Sequence, residues 1–408
     1  MRIACFHNFL TEPRGAELAF KNIAIGLAKK GHEIDVYAFD ISREFENEFK
    51  EKEIRFYSYK FKKEKAKTLK SKILSFIKYM LQYLSVIKKI SKEINIGNYD
   101  AILVSHWYSA IIIPSLKRQV LYYCQEPPRH VYEFDPGGYG ELNQIVDDKK
   151  ICRIIKRKVF DGILNFITKY TDLWCARRAE LIAANSEHSK NILQKLYKKP
   201  VVRVYLGVDT EVFRCIQSKK QNFILSIGPL RVFKGHDFVI KALGILHLNK
   251  RPSLIIVGDG ESADRQYLLE LANKLNVNIE IKSNVRTNEL VELYNRALAT
   301  VCAYVREPFG LVAIESMACG TPVIAVKEGG LVETVNNERG ILIEHNIEEL
   351  AEAISRLKDN PGVAKELGGR GSEFVCKNFT WEACCGNLEE ILVQLVRKRV
   401  PRFRNIDI

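Results

Sequence analysis

The sequence predicts an α/β protein of two doubly wound, Rossmann-like domains that face a central cleft. Three observations support this fold class. Short buried strands alternate with amphipathic helices from the first residues, the alternation restarts after residue 220, and 408 residues exceed one ordinary core. Because ligands of open parallel sheets bind outside the carboxyl ends of the strands, we expect the site between the domains.

The first array begins with a βαβ unit. The segment "RIACFHNFL" reads as a buried strand, "TEPRG" breaks it, "AELAFKNIAIGLAKKGH" has helical periodicity and ends at Gly31, and "EIDVYAFD" is a second strand. The same sheet is extended by four later segments: "YDAILVSH", "QVLYYCQE", the strand and helix of "LIAANSEHSKNIL", and "VVRVYLGVD".

The second array repeats this order beyond the polar linker "DTEVFRCIQSKKQN". We therefore expect a domain boundary near residues 207 to 220. Its strands and helices are predicted, in order, at "FILSIGPL", "GHDFVIKALGILHL", "SLIIVGDG", "DRQYLLELANKL", "VNIEIK", "NELVELYNRA", "ATVCAYV", "LVAIESMA", "PVIAV" and "GILIEH".

Charge and cysteine usage restrict the class of protein. Nearly all of the formal charge of +14 lies in the first half, where residues 1–210 hold 37 Lys and Arg against 24 Asp and Glu, a net of +13. An anionic partner is therefore expected to meet that half.

Ten cysteines without a CxxC pair, and an N-terminus without a signal-peptide pattern, favour a reduced cytosolic chain. No uncharged apolar run reaches 18 residues, so no membrane span is expected.

The stretch "REPFGLVAIESMACGTPVIAVKEGG", residues 306–330, carries the predicted site. It reads as a loop, a helix that starts at about residues 309 to 311, a turn and a buried strand. The free N–H groups at the helix start suit a diphosphate. Glu315 could accept hydrogen bonds from a ribose, and Glu307 could hold sugar hydroxyls. For either glutamate alone the alternative is complementation of the helix dipole without any ligand.

These residues resemble a known family. "EPFGLVAIE" is similar to the E-x7-E motif of the retaining glycosyltransferases of family 4, and "MACGTPVIAVKEGGLVE" continues that pattern. Further landmarks are "AANSEHSKNIL", "YLGVDTEVF", "LSIGPLRVFKGHD" and "LIIVGDG". The resemblance implies a GT-B fold, with an acceptor domain over 1–207, joined by a C-terminal helix at about 380–408, and a nucleotide-sugar donor domain over 208–379.

The resemblance also implies roles in donor binding. Glu307 would contact the transferred sugar and Glu315 the nucleotide ribose. The diphosphate would lie on the backbone of Phe309, Gly310 and Leu311.

Two basic residues would assist the leaving group. Lys234 stands where the family has its phosphate lysine and would neutralise charge on the leaving diphosphate. The alternative is a solvated lysine at a helix start. The family arginine is replaced by Pro229, so Arg231 is expected to reach the same phosphates. Gly15, in "TEPRGAE", would let the backbone approach the donor.

The remaining candidates surround these groups. His106, at the end of "AILVSH", is expected to hold the sugar near the reacting carbon, although a histidine at a strand end is more often structural. Val285 lies where the nucleotide base should pack. Candidate acceptor contacts come from "CQEPPRHVYEF": Glu126, Arg129 and His130.

No D-x-D motif occurs in the chain. The other common transferase architecture uses that motif to hold a divalent metal on the diphosphate. We therefore expect no metal and no cofactor, with Lys234, Arg231 and the helix end replacing the metal.

Residues 59–92 form a basic, amphipathic segment with eleven lysines and one acidic residue. An anionic membrane surface suits such a helix. The alternatives are solvated lysines on a sheet-covering helix, or nucleic acid, for which no binding module is recognisable. Its apolar positions recur at helical spacing: Ile73, Phe76, Ile77, Met80, Leu84, Ile87 and Ile94, widened by Leu74, Leu81 and Val86.

The sequence thus predicts a cytoplasmic enzyme bound peripherally to the inner face of the cell membrane. It would move a hexose, with retention, from a nucleotide diphosphate sugar to a hydroxyl of a lipid-linked saccharide or another cell-envelope glycan precursor, without nucleic acid as partner. The alternatives are a nucleotide-sugar epimerase of the same fold and a basic membrane-binding scaffold with a vestigial nucleotide site.

Overall fold

The computed structural model describes residues 1–12, 14–60, 69–132 and 151–397. Within these ranges, the side chains of 69–77, 130, 151–161 and 163 are not described. The strands are β1 Arg2–Phe6, β2 Phe9–Leu10, β3 Glu33–Ala38, β4 Asp40–Ile41, β5 Arg55–Ser58, β6 Ala101–Ser105, β7 Val120–Tyr123, β8 Leu181–Ala184, β9 Val201–Arg203, β10 Phe223–Ile227, β11 Ser253–Val257, β12 Ile279–Lys282, β13 Ala299–Cys302, β14 Val323–Val326 and β15 Ile341–Ile343.

The helices cover the faces of two sheets. They are α1 Gly15–Lys29, α2 Arg43–Glu51, α3 Leu69–Ile96, α4 Arg129–Tyr132, α5 Ile151–Ala176, α6 Glu187–Tyr197, α7 His236–Ile245, α8 Ser262–Lys274, α9 Thr287–Arg296, α10 Leu311–Ala318, α11 Leu331–Thr334, α12 Ile347–Asp359, α13 Pro361–Asn378 and α14 Trp381–Val396, with 3₁₀ turns at Trp107–Ser115, Val232–Lys234 and Leu248–Lys250.

The first domain is built on a parallel sheet with the strand order β5-β3-β1-β6-β7-β8-β9. Strands β6, β7 and β8 are buried along their whole length. They therefore read as continuous apolar runs, as strands covered on both faces do. All the carboxyl ends lie at one edge of the sheet, which positions the residues after β1, β6, β7 and β8 side by side.

The second domain repeats the plan with the strand order β12-β11-β10-β13-β14-β15, again all parallel. The chain leaves the first sheet after Arg203 and enters the second at Phe223. It returns beside its own exit, because Val208 pairs with Thr380. Helix α14 then packs on α1. A Cβ on Gly26 of α1 would lie 2.3 Å from Cys385 Sγ, so only glycine allows the two helices this close.

These two sheets confirm the predicted fold class of two doubly wound α/β domains. One detail differs from the prediction. The strand predicted over "RIACFHNFL" is divided, because His7 and Asn8 interrupt it and the two-residue β2 pairs with β4 in a separate ribbon. This interruption places His7 at the carboxyl end of β1.

Helix α3 contains the described part of the basic segment. Its inward side buries Tyr83, Ile87, Ile90 and Ile94. Leu84 does not share that side, since it is 49% exposed. The sequence pattern grouped Leu84 with Ile87 and Ile94, and that grouping is wrong. Four other predicted apolar positions lie outside the described side chains: Ile73, Leu74, Phe76 and Ile77.

Candidate functional site

Two glycines hold the loop that carries Glu307. Gly330 N–H donates to the Glu307 carbonyl at 2.7 Å. A Cβ on Gly329, which has φ +62°, would lie 2.4 Å from the Glu307 carbonyl oxygen, and one on Gly330 would lie 2.3 Å from Pro308 O. The glycine pair after β14 therefore accommodates the Glu307 loop itself.

Helix α10 begins where the sequence predicted. Gly310, with φ +102° and ψ +54°, precedes Leu311, the first helical residue. The ring of Phe309 is anchored between Tyr205 and Phe379, with centroids at 5.8 and 5.6 Å. A helix start leaves its first N–H groups without intrahelical acceptors. These groups can therefore bind an anion in the cleft.

Lys234 and Glu307 form an ion pair at this helix end. Lys234 Nζ lies 3.1 Å from Glu307 Oε2, and both side chains are less than one-fifth exposed. The ammonium also lies 3.9 Å from the ring centroid of Tyr304. Its stem packs on Gly228, where a Cβ would approach Lys234 Cδ to 3.1 Å. The pair is thus fixed by packing and would act on a ligand as a unit.

A second ion pair faces the first from the other domain. Glu126 accepts a hydrogen bond from Arg129 Nε, and Arg129 Nη2 donates to the Arg306 carbonyl at 3.1 Å. Burial raises the pKa of Glu126 to about 7, Arg129 opposes this rise and the nearby Glu307 carboxylate adds to it. The predicted acceptor candidates Glu126 and Arg129 therefore lie opposite Lys234 and Glu307.

Glu315 lies one turn inside α10. Tyr294 Oη donates to its Oε2 at 2.8 Å. Burial raises the pKa of Glu315 to about 7, and the Tyr294 hydrogen bond opposes that rise. Val285 is half-buried against the apolar cluster that contains Tyr294. The structure thus places a buried carboxyl group and a hydrophobic wall on the same side of the helix.

Gly15 and His106 are predicted site residues of the first domain that follow its strands on the side of the cleft. A Cβ on Gly15 would lie 3.6 Å from Leu311 Cδ1, so the start of α1 meets the start of α10. His106 has φ +75°, a conformation that few residues other than glycine adopt. Such backbone strain clusters at functional sites. Burial lowers the pKa of His106 to about 4, so its ring is neutral at pH 7.

Two predicted residues are not brought to this cluster by described contacts. Arg231 pairs with Glu261 at 3.1 Å and with Asp264 at 3.8 Å. It would have to leave these carboxylates to reach a phosphate, and its phosphate role stays a prediction. The side chain of His130 lies outside the described residues.

The structure also shows a domain contact that sequence reasoning missed. The hydroxyls of Ser186 and Ser189, at the start of α6, donate to Pro308 O in the Glu307 loop. The carboxylate of Glu333 accepts the backbone N–H groups of Glu187 and His188 at 2.8 and 2.9 Å. The sequence predicted a strand and a helix at "LIAANSEHSKNIL" but not the partner of that helix start. These contacts fix the first domain against the second at the Glu307 loop and at Glu333.

Among the described residues, no group of three or more His, Cys, Asp and Glu is arranged to hold a metal ion. Metal independence stays a prediction. The arrangement supplies instead a lysine, a helix start and two partly buried carboxyl groups at one cleft. Such a site can bind a diphosphate and the hydroxyls next to it.

Comparisons with known proteins identify the family of this chain. A model described as Glycosyltransferase Family 4 matches residues 13–212, and one described as Glycosyl transferases group 1 matches residues 209–374. An uncharacterised glycosyltransferase of Methanocaldococcus jannaschii is 30% identical over 229 residues, which cover 56% of this chain and 63% of that protein. The D-inositol 3-phosphate glycosyltransferase of Acidothermus cellulolyticus is 34% identical over 199 residues, which cover 43% of this chain and 44% of that protein. The chain thus spans less than two-thirds of the length of these relatives.

Solved structures share the whole fold. HepE of Anabaena, in complex with UDP-glucose, superposes with a TM-score of 0.73 at 18% identity and covers 97% of this chain and 100% of its own. Sucrose-phosphate synthase of Thermosynechococcus elongatus gives 0.72 at 20% identity, covering 97% and 99%. The predicted GT-B fold is confirmed. The chain belongs to the family 4 type of GT-B glycosyltransferases, with a family 4 half followed by a group 1 half.

Proposed function

We propose that this protein is a retaining glycosyltransferase that moves a hexose from a nucleotide diphosphate sugar to a hydroxyl of a lipid-linked saccharide or another cell-envelope glycan precursor. The observation that carries the proposal is the ion pair of Lys234 and Glu307 at the start of α10. A cation beside a helix start suits a diphosphate, and the adjoining carboxylate suits the sugar attached to it.

The second domain holds the donor in this proposal. The N–H groups of Phe309, Gly310 and Leu311, together with Lys234, neutralise charge that develops on the leaving diphosphate. Glu307 holds the transferred sugar, whose anomeric carbon becomes electron-poor. Ligand binding would require Lys234 to exchange part of its contact with Glu307 for a phosphate oxygen.

Glu315 and Val285 define the nucleoside end. The carboxylate of Glu315 accepts hydrogen bonds from the ribose, and the wall around Val285 packs on the base. HepE has been crystallised with UDP and with UDP-glucose. A uridine nucleotide is therefore the first donor class to examine, although the fold likeness alone does not fix the base.

The first domain holds the acceptor. Glu126 and Arg129 lie across the cleft from Lys234 and Glu307, where the accepting hydroxyl must approach. His106 follows β6 at the same edge of the first sheet and would lie beside the bound sugar. Contacts from Ser186 and Ser189 to Pro308 O hold the two sides together, so the cleft can exclude water from the reacting groups.

The decisive experiment is a panel of nucleotide sugars scored by release of nucleotide, with and without saccharide acceptors. Acceptor-dependent release, with a product of retained anomeric configuration by NMR, supports the proposal. Release of nucleotide together with an isomerised free sugar would favour an epimerase. Nucleotide binding by calorimetry without any turnover would favour a scaffold that has lost its activity.

The first prediction concerns metal. Because Lys234 and the α10 start supply the positive charge that a metal would otherwise supply, transfer should continue in excess EDTA at more than half of the untreated rate. The measurement is the initial rate of transfer after dialysis against EDTA, and the control is the same protein dialysed against buffer without EDTA. Complete loss of activity that Mn²⁺ or Mg²⁺ restores would contradict metal independence.

We also propose that the first domain binds an anionic membrane surface at the inner face of the cell membrane. The basic segment continues into α3, where Leu81 is 64% exposed. Helix α5 adds exposed Phe166, Ile167 and Tyr170. Both helices pack on the 3₁₀ turn at Trp107–Ser115, so they cover one side of the domain. No helix within the described ranges is long and apolar enough to cross a membrane.

The second prediction tests this surface. Replacing both Phe166 and Ile167 by Ser should weaken binding to vesicles containing phosphatidylglycerol about tenfold or more, since each apolar side chain contributes about 1.5–3 kcal/mol when fully buried. Sedimentation with vesicles measures the partition. The control is Leu248→Ser, which alters a leucine of the second domain that is 72% exposed. Equal effects of the two changes would contradict the proposed surface.

A further inference from the structure

Four neighbouring strands of the first sheet each end in a neutral polar side chain. His7 follows β1, His106 follows β6, Gln125 lies two residues beyond β7, and Asn185 follows β8. These strands are adjacent in the order β1-β6-β7-β8. With strands about 4.8 Å apart, the set extends roughly 14 Å across the cleft. We call His7, His106, Gln125 and Asn185 the polar row.

Three members of the polar row are buried with polar atoms that have no hydrogen-bond partner. Gln125 is 8% exposed and lacks a partner at Nε2, and Asn185 is 3% exposed and lacks one at Oδ1. His7 is 3% exposed and neither of its ring nitrogens makes a hydrogen bond of good geometry, although the Phe9 backbone contacts the ring and opposes the fall of its pKa. Each unpaired buried polar group costs about 1–3 kcal/mol. Three such groups at neighbouring strand ends indicate that their partners come from outside the chain.

The polar row is also uncharged. Burial and the neighbouring His106 lower the pKa of His7 to about 3, and burial lowers that of His106 to about 4. The two rings lie close together, with centroids 5.6 Å apart. A neutral imidazole has one donor and one acceptor, and an amide has both. This set matches sugar or polyol hydroxyls, which also donate and accept, whereas a phosphate only accepts.

We propose that the polar row binds the hydroxyl groups of the acceptor's reacting unit, and that this unit is an uncharged sugar or polyol without a phosphate. The inference rests on the proposed function and names the acceptor class for it. The row belongs to the first domain, opposite the Lys234 and Glu307 pair that serves the donor. Its second member, His106, adopts a strained backbone that points to the same use.

The test compares the two ends of one strand. Gln119 immediately precedes β7 and, like Gln125, has a buried side-chain atom without a partner, its Oε1. It lies at the amino end of the strand, away from the cleft. Gln125→Leu should therefore raise the acceptor KM at least tenfold, whereas Gln119→Leu should leave it within twofold. His7→Leu should raise the acceptor KM as Gln125→Leu does, without a lower Tm, because it removes a buried imidazole that makes no hydrogen bond of good geometry.

The probes are methyl glucoside, methyl N-acetylglucosaminide and myo-inositol, each paired with its monophosphate. Their binding to the UDP-saturated enzyme is measured by calorimetry, and their effect on UDP release from UDP-glucose is measured in parallel. We expect saturable binding of at least one neutral probe and at least tenfold weaker binding of its phosphate. Binding without turnover would refute the proposed function and keep the polar row as a sugar site.

Three results would overturn the inference. One is a failure of the neutral probes with the wild-type protein: either they bind more weakly than their phosphates, or none of them shows saturable binding. Another is equal behaviour of Gln125→Leu and Gln119→Leu. The third is a loss of UDP-glucose affinity in His7→Leu or Gln125→Leu with an unchanged acceptor KM, which would assign the row to the donor sugar.

Discussion

Replacing Lys234 with Ala is expected to lower kcat/KM for the nucleotide sugar by about 10²- to 10³-fold, comparable to removing one oxyanion-type donor. The reason is the position of its ammonium, 3.1 Å from Glu307 Oε2 at the start of α10. In the proposed reaction it neutralises the leaving diphosphate. Initial rates at varied donor concentration, with the acceptor saturating, measure the effect.

The same substitution also leaves Glu307 partly buried without its cation, so loss of fold must be separated from loss of chemistry. The thermal midpoint of Lys234→Ala should therefore be recorded with its kinetics. Lys241→Ala is the matched control, since Lys241 is likewise paired with a carboxylate, Asp237, at 2.7 Å, but on the next helix. Near wild-type turnover in a folded Lys234→Ala protein would remove Lys234 from the mechanism.

The fold and the start of α10 could be predicted from the sequence because both depend on local patterns. Continuous apolar runs mark buried parallel strands, and helical periodicity restarts after each loop. Gly310 marks the helix start, since its φ of +102° is open to few other residues. The single domain boundary near residues 207 to 220 stays a prediction from composition, because the linker there is polar.

What the sequence could not predict depends on pairs of residues distant in the chain. The glycines after β14 receive the Glu307 loop, a contact that their position in the sequence does not indicate. The contact of Glu333 with the start of α6 joins residues 145 or more positions apart. Arg231 is paired with Glu261 and Asp264, which follow it by 30 or more positions, and its spacing in the sequence does not indicate this contact.

The polar row likewise could not be predicted from the sequence, because it depends on residues that are distant in the chain. A single histidine, glutamine or asparagine after a strand is unremarkable in sequence. Only the strand order β1-β6-β7-β8 makes His7, Gln125 and Asn185 neighbours, and only burial shows that they lack partners. Sheet topology, which joins segments up to about 180 residues apart here, therefore contributes information that no local pattern holds.

The two glutamates of the 306–330 stretch should have different kinetic signatures. Glu307 is expected to contact the sugar whose anomeric carbon gains positive charge, so Glu307→Gln should lower kcat by about 10²-fold or more with little change in donor KM. Glu315 is expected to hold a ribose that does not change during the reaction. Glu315→Gln should therefore raise the donor KM and weaken binding of free UDP, with kcat nearly kept.

The experiment is best run at pH 8. Burial raises the pKa of Glu315 to about 7, so at pH 7 the carboxyl group is only partly ionised, whereas at pH 8 most of it is a carboxylate that can accept hydrogen bonds from both ribose hydroxyls. Glutamine keeps the shape of the side chain and its hydrogen bond from Tyr294 while it removes the charge. UDP affinity of the wild-type protein should accordingly rise between pH 6 and pH 8, and this rise should be absent in Glu315→Gln.

Calorimetry with UDP and donor kinetics on each variant decide between the two roles. If Glu315→Gln binds UDP normally while Glu307→Gln loses it, the assignment is reversed, and the carboxylate beside Lys234 serves the nucleotide. If both variants fold and behave as the wild-type protein does, both carboxylates are structural. Glu307 would then only neutralise Lys234, and Glu315 would only orient Tyr294, because the contacts of 3.1 Å and 2.8 Å are satisfied within the protein without any ligand.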